Sequence, residues 1–184
     1  MKPSDKRPST RLVHAGSHPE QHKGVMNTPV YRASTVLFPT VDAMNKGVKT
    51  RFDSVFYGRH GTPTTMALEE VAADLEGGYR SVAVPSGLSA IMVSLLGFLE
   101  NGDHLLMTDT AYSPSRDICT GFLANYGIST DFYDPMIGAG ITELIRPKTK
   151  AVFTESPGSL TFEVQDIPAI SEVAHANGIK VIMD

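Results

Sequence analysis

The sequence predicts an α/β domain built on a mostly parallel sheet, and two observations carry that expectation. From Thr62 onward short apolar runs alternate with helical segments, and the connections between them are short and punctuated by Gly, Asn or Pro. Before that point, residues 1–60 read as irregular, with scattered Pro, Gly and His and few apolar clusters beyond Val36-Leu37-Phe38. An arm of that length is expected to pack on something other than its own core, a neighbouring subunit being the natural candidate. Thr62-Pro63 then reads as N-cap and first helical position of a helix that runs to Glu76 and is stopped by Gly77-Gly78. Residues 81–84 form the first expected strand. A helix follows over residues 87–100, with Leu88, Ile91, Leu95 and Leu99 on one face and Asn101-Gly102 as its stop. Residues 104–107 are the next strand, and Pro114 opens a helix that Gly127 closes. Residues 130–133 and 151–154 are further strands. Asp166 and Pro168 start a last helix, ended by Asn177-Gly178, and residues 180–183 are the final strand, followed only by Asp184. A parallel sheet rarely leaves its last strand uncovered, so the expectation is a truncated domain.

Composition narrows the function classes. A net charge of −4 over 184 residues offers no footing on nucleic-acid phosphates or anionic membranes. The single cysteine, Cys119, excludes an intrachain disulfide and argues against a thiolate metal cluster, which fits a reducing cytoplasm. Cys119 falls in an expected helix and reads as a small buried hydrophobe. Residues 1–10 are polar and basic, unlike a secretory signal. The longest apolar run, residues 88–99, is broken by Ser89, Ser94 and Gly97 and is too short to cross a bilayer. His18 and His22 have i, i+4 spacing but no third ligand, and read as solvated side chains. A soluble, cytoplasmic protein with no metal is expected.

Four places could carry chemistry. Ser86-Gly87-Leu88 follows an expected strand and opens a helix, so the Gly87 and Leu88 N–H groups would face outward at the positive helix end, a ready phosphate site with Ser86 able to cap. Alone, the stretch reads first as an ordinary cap, and neither a dinucleotide glycine fingerprint nor a P-loop is present. Tyr57-Gly58-Arg59 offers a hydroxyl and a guanidinium suited to phosphate, or a solvated loop. Tyr112 sits just past a strand, where it could stack on a planar cofactor or serve as a core aromatic. Asp184 ends a buried strand, where a carboxylate needs a cationic partner such as a protonated pyridine, or caps a following helix. Glu155 ends a strand at the same edge as Tyr112 and could be structural.

Taken together, several stretches resemble the Cys/Met-metabolism family of pyridoxal-phosphate (PLP) enzymes, and within it the branch of bacterial cystathionine β-lyases. They are Tyr57-Gly58-Arg59-His60-Gly61-Thr62-Pro63-Thr64, Leu75-Glu76-Gly77-Gly78, Pro85-Ser86-Gly87-Leu88-Ser89-Ala90, Gly102-Asp103-His104-Leu105-Leu106-Met107, Thr110-Ala111-Tyr112-Ser113-Pro114-Ser115 and Glu155-Ser156-Pro157-Gly158-Ser159. The resemblance runs from about Thr10 to the last residue, and the order and spacing of these stretches make it specific.

The resemblance implies a fold of the PLP-dependent transferase type, with the large domain of the aspartate aminotransferase kind. Residues 1–60 would be an arm reaching a neighbouring subunit and 61–184 the first part of the cofactor-binding domain, with the C-terminal domain absent. It implies that Ser86, Gly87 and Leu88 hold the cofactor phosphate, joined by Tyr57 and Arg59 from the neighbouring subunit. Tyr112 would stack on the ring and assist proton transfer, and Asp184 would pair with the ring nitrogen. Ser159 stands where many relatives outside the β-lyases carry Asn near the cofactor's 3-hydroxyl, which favours the β-lyase branch. The implied reaction is cleavage of cystathionine to homocysteine, pyruvate and ammonia, in a homo-oligomer that is a dimer of dimers with shared sites. The lysine that carries the cofactor is expected beyond Asp184, since Lys148, Lys150 and Lys180 lack its context; the chain alone is therefore expected to be inactive. The rival expectations are a γ-synthase, γ-lyase or sulfhydrylase of the same family, or a non-catalytic fragment.

Overall fold

The computed structural model describes residues 7–184, so the first six residues of the polar, basic start lie outside the described part. The chain divides into two compact units, the second being Val84–Asp184. That boundary falls later than the expected one at residue 60, because the helix after Thr62 belongs to the first unit.

The first unit is not irregular throughout, as its sequence suggests. It holds helix α1 (Pro8–His14), a short 3-10 turn at Pro19–His22, α2 (Val41–Lys49) and α3 (Pro63–Leu75). Thr40 caps α2 by accepting the Ala43 N–H at 3.1 Å. Pro63 opens α3 as expected, and the Thr65 hydroxyl accepts the Thr62 N–H at 2.7 Å. Helix α1 is tied to α3 by Arg11, whose guanidinium grips the Asp74 carboxylate at 2.9 and 3.0 Å. The histidines are not simply solvated. His18 pairs with Glu70 at 2.7 Å, and His22 is buried beside the Tyr31 hydroxyl. The strand expected at residues 81–84 does not form. Its polar groups turn to α3 instead: Ser81 donates to the Glu69 carbonyl and the Ala83 N–H to the Glu69 carboxylate.

The second unit is the expected α/β domain. Helix α4 (Gly87–Phe98) leads into β1 (His104–Thr108). α5 (Ser113–Ile118) continues through a π turn at Cys119–Leu123 into β2 (Ser129–Tyr133). A 3-10 segment at Gly138–Leu144 precedes β3 (Thr149–Thr154), and α6 (Ile167–Ala176) precedes β4 (Lys180–Met183). The strands form one parallel sheet in the order β2-β1-β3-β4. Side chains alternate across it. Leu105, Met107, Ala151 and Phe153 pack with Ile91 and Leu95 of α4 and with Cys119 and Leu123 of the π turn on one face. Leu106, Val152 and Tyr133 pack with Ile141, Ile170 and Ala174 on the other. Both faces of β1 and β3 are therefore covered, which is why these strands read as continuous apolar runs. Cys119 is buried as expected, and burial pushes its thiol up to about 11.

Helix α4 begins where its sequence predicts. The Ser86 hydroxyl accepts the Ser89 N–H at 3.1 Å, the standard use of serine as an N-cap. Replacing Ser86 with Ala should cost about 1 kcal/mol of unfolding free energy in a denaturant titration, whereas Ser86→Asp should retain most of it. Equal losses in the two variants would show that the cap is not what matters.

At the sheet edge opposite to the strand ends, His104 is buried at the start of β1. Its Nδ1 faces the Thr149 hydroxyl at 2.8 Å and its Nε2 lies 3.5 Å from Asp131, itself paired with Arg146. The Thr149 hydroxyl also accepts the Arg146 N–H at 2.8 Å. Burial, and then the Arg146 charge, hold the imidazole below its ordinary value. The unfolded chain accepts a proton that the folded chain resists. The stability in question is thus full above about pH 6.5 and is lost as pH falls from there through the lower folded value. The thermal midpoint of wild-type protein should drop more between about pH 8 and about pH 5 than that of His104→Asn. Parallel drops would refute the assignment.

Candidate active site

The sheet order places a switch point between β1 and β3. From β1 the chain leaves to one face through α5 and returns at β2, whereas from β3 it leaves to the opposite face through α6 and returns at β4. The crevice at which open parallel sheets bind ligands lies outside the carboxyl ends of the strands at such a switch point, here β1 and β3.

Three of the expected residues meet there. Tyr112, four residues past the end of β1, is the N-cap residue of α5 and is half exposed. Asp184 follows β4, its N–H bonded to the Thr154 carbonyl at 3.0 Å. Ser159 lies in the loop after β3, and its N–H donates to the Thr110 carbonyl at 2.8 Å, which holds that loop against the Tyr112 loop. Gly158 lies so close to the Thr110 side chain that a Cβ there would come within 2.7 Å of its hydroxyl, so only glycine lets the two loops approach.

Glu155 joins them, a residue that sequence reasoning leaves in a structural role. Its Oε2 accepts the Tyr112 N–H at 2.8 Å, bridging the crevice. Burial raises its carboxyl above the ordinary value, the Tyr112 bond opposes that, and the nearby Asp184 charge adds to it. The signal available in sequence was only its place just after β3, at the same end of the sheet as Tyr112 and Asp184.

The N-terminus of α4 lies at the same edge. A short turn links the C-terminal end of α4 to the start of β1, so the helix runs against the strands and its first turn stands at their carboxyl ends. The Gly87 and Leu88 N–H groups have no partner among the described residues, and the space above Gly87 is open. Beside them a cleft of about 310 Å³ is lined by Ser86, Leu88, Ser89, Met92, Val93 and Ile118. Tyr112, Ser159 and Asp184 do not line it, so the cleft flanks the crevice without filling it.

Tyr57 and Arg59 belong to the first unit. The Tyr57 hydroxyl meets Ser34, and the Arg59 guanidinium lies 5.9 Å from the Tyr57 ring centroid. Between them Gly58 packs against the Ala33 carbonyl with no room for a Cβ, and its N–H donates to Ser34. Arg59 is exposed and forms no ion pair among the described residues.

These residues fit PLP by their donor set. Two free N–H groups at a helix start, with open space above the glycine, suit a phosphate. A carboxylate at the tip of β4 suits a protonated ring nitrogen, and an exposed aromatic suits the ring face. No group of three or more His, Cys, Asp or Glu able to hold a metal is present among the described residues.

The chain is similar to several known proteins. The cystathionine beta-lyase MetC of Escherichia coli K12 is 45% identical over 168 residues, covering 91% of this chain and 42% of its own length. The cystathionine beta-lyase of Salmonella typhimurium gives the same identity and coverage. The chain thus spans less than half the length of these relatives. The crystal structure of metB from Corynebacterium glutamicum superposes over all of this chain and 46% of its own, with a TM-score of 0.89 at 27% identity. The sequence profile described as Cys/Met metabolism PLP-dependent enzyme matches residues 9–184, and with a match over nearly its whole length the chain belongs to that family.

Proposed function

We propose that this chain supplies the cofactor-gripping part of a PLP-dependent carbon–sulfur β-lyase that cleaves cystathionine to homocysteine, pyruvate and ammonia. The observation that carries the reading is the crevice at the switch point, where Tyr112, Ser159 and Asp184 meet at one sheet edge. The cystathionine β-lyase names of relatives at 45% identity support the choice of reaction.

In this reading the Gly87 and Leu88 N–H groups and the Ser86 hydroxyl hold the phosphate. Asp184 accepts the ring N–H and keeps that nitrogen protonated. The Tyr112 ring covers the pyridine face while its hydroxyl holds or moves a proton at the substrate amine. Ser159 stands near the 3-hydroxyl. When bound, PLP supplies an electron sink that acidifies the substrate α-carbon and lets the β-thiol depart. Tyr57 and Arg59 reach the phosphate of a neighbouring subunit in a homo-oligomer, a dimer of dimers. Every buried apolar residue among the described ones lies between Ile91 and Ile179, so residues 7–83 contribute none, as suits an arm that docks elsewhere. The proposed setting is the cytoplasm; no helix among the described residues is long and apolar enough to cross a membrane.

Among the described residues, Lys148, Lys150 and Lys180 are not placed to carry the cofactor in this reading. Lys150 and Lys180 stand at the starts of β3 and β4, and Lys148 just precedes β3, all at the end of the sheet away from Tyr112 and Asp184. Relatives more than twice as long have room for such a lysine elsewhere. Protein expressed at the relatives' length and supplied with PLP and cystathionine should release pyruvate. The 184-residue chain alone should release none. Release of 2-oxobutyrate instead would replace β-elimination with a γ-elimination by the same fold.

A further inference from the structure

Tyr112 carries the ring on which the proposed site depends, yet its side chain is not held. The ring is about half exposed, at 49%, and it makes no aromatic contact and no side-chain hydrogen bond among the described residues. Its placement therefore rests on its main chain, which is fixed at both ends. The Tyr112 carbonyl accepts the Ser115 and Arg116 N–H groups at 2.9 and 3.2 Å, the first turn of α5. Its N–H lies outside that helix and is taken by one partner, Glu155 Oε2, at 2.8 Å.

Glu155 is itself anchored from beneath. Its carbonyl accepts Gln165 Nε2 at 2.8 Å, and Gln165 Oε1 accepts the hydroxyl of Tyr133 at 3.1 Å. Gln165 and Tyr133 are both buried, and the Gln165 N–H is held by the Ser156 hydroxyl at 3.0 Å. A chain of hydrogen bonds thus runs from the sheet interior through the end of β3 to the backbone of Tyr112.

We propose that Glu155 is a positioning residue: by holding the Tyr112 N–H across the crevice between β1 and β3, it sets where the Tyr112 ring stands. Glu155 touches neither substrate nor cofactor in this role and acts through Tyr112. The inference rests on the site reading above. It also separates two properties of the carboxylate, its acceptor oxygen and its charge. Gln supplies a carbonyl oxygen at the same reach without the charge, whereas Ala supplies neither. A positioning role predicts that Gln substitutes and Ala does not.

The test uses Glu155→Ala and Glu155→Gln in two measurements. In cofactor-free protein, amide hydrogen exchange of Tyr112 followed by NMR should accelerate at least about tenfold in Glu155→Ala and stay within about threefold of wild type in Glu155→Gln. In protein of the relatives' length loaded with PLP, Glu155→Ala should reduce the visible circular dichroism of the bound cofactor about twofold. It should also lower kcat/KM about tenfold, with Glu155→Gln near wild type in both. Should Glu155→Ala fail to fold, Glu155→Gln decides: losses in it as large as those expected of Ala would overturn the proposal, because charge and not placement would then matter. Wild-type dichroism and exchange unchanged in Glu155→Ala would overturn it too. A wild-type protein that shows no cofactor signal at all would overturn the site reading and this inference together, an outcome visible before any variant is made.

Discussion

The second unit depends on one constraint, the need to cover both faces of β1 and β3. These strands are apolar on both sides, and every residue of β1 is buried. A sheet of that kind is stable only with a layer on each face. The chain meets the requirement by sending α5 to one face and α6 to the other, and two such departures from neighbouring strands must part. The switch point between their starting loops is thus a by-product of covering the core. Tyr112 and Glu155 stand at its two sides, each in the irregular stretch after a strand whose last residues are buried, where a rigid scaffold fixes a backbone without burying its side chains.

Residues 7–83 obey a different rule. They contain helices but bury no apolar side chain fully, and Leu37 and Tyr79 are almost entirely exposed. What holds them are polar and backbone contacts: Arg11 on Asp74, His18 on Glu70, and glycines at Gly16 and Gly58 whose lack of a Cβ lets two chain segments touch. Exposed or half-exposed ion pairs contribute little each, on the order of 0–1 kcal/mol.

Much of the second unit was legible in sequence because its signals are redundant. Four strands, and helices opening at Gly87 and near Pro114 and Asp166, coincide with apolar runs, caps and glycine stops that all point the same way. Where the reading failed, one local signal had a competitor. Residues 81–84 have the composition of a strand, but Glu69 takes the Ala83 N–H and its carbonyl takes the Ser81 hydroxyl, so the polar groups are satisfied without a ladder. Helix α2 was missed although Val41, Met44 and Val48 recur with helical spacing; two turns of helix with a glycine inside, Gly47, give too short a pattern. At the site, the residue types were readable one at a time, but the bond from Tyr112 to Glu155 was not. It joins residues 43 apart, and only the strand order brings them together.

The charges at this edge also distinguish among ligands. Asp109 is paired with Arg116, and at the far edge Asp131 is paired with Arg146. Glu155 and Asp184, on neighbouring strand tips, have no cation among the described residues, and the Asp184 charge disfavours the ionised form of Glu155. The helix start at Gly87 presents the opposite polarity, bare N–H donors and the positive end of α4. A phosphate alone would satisfy the helix and leave the carboxylates unrelieved. A nucleotide base would bring no positive nitrogen at neutral pH to the strand tips. A ligand with a phosphate at one end and a protonated aromatic nitrogen at the other matches both polarities at once, so the electrostatics of the edge favour a pyridoxal ring over the nucleotides that other parallel α/β sheets bind at the same place.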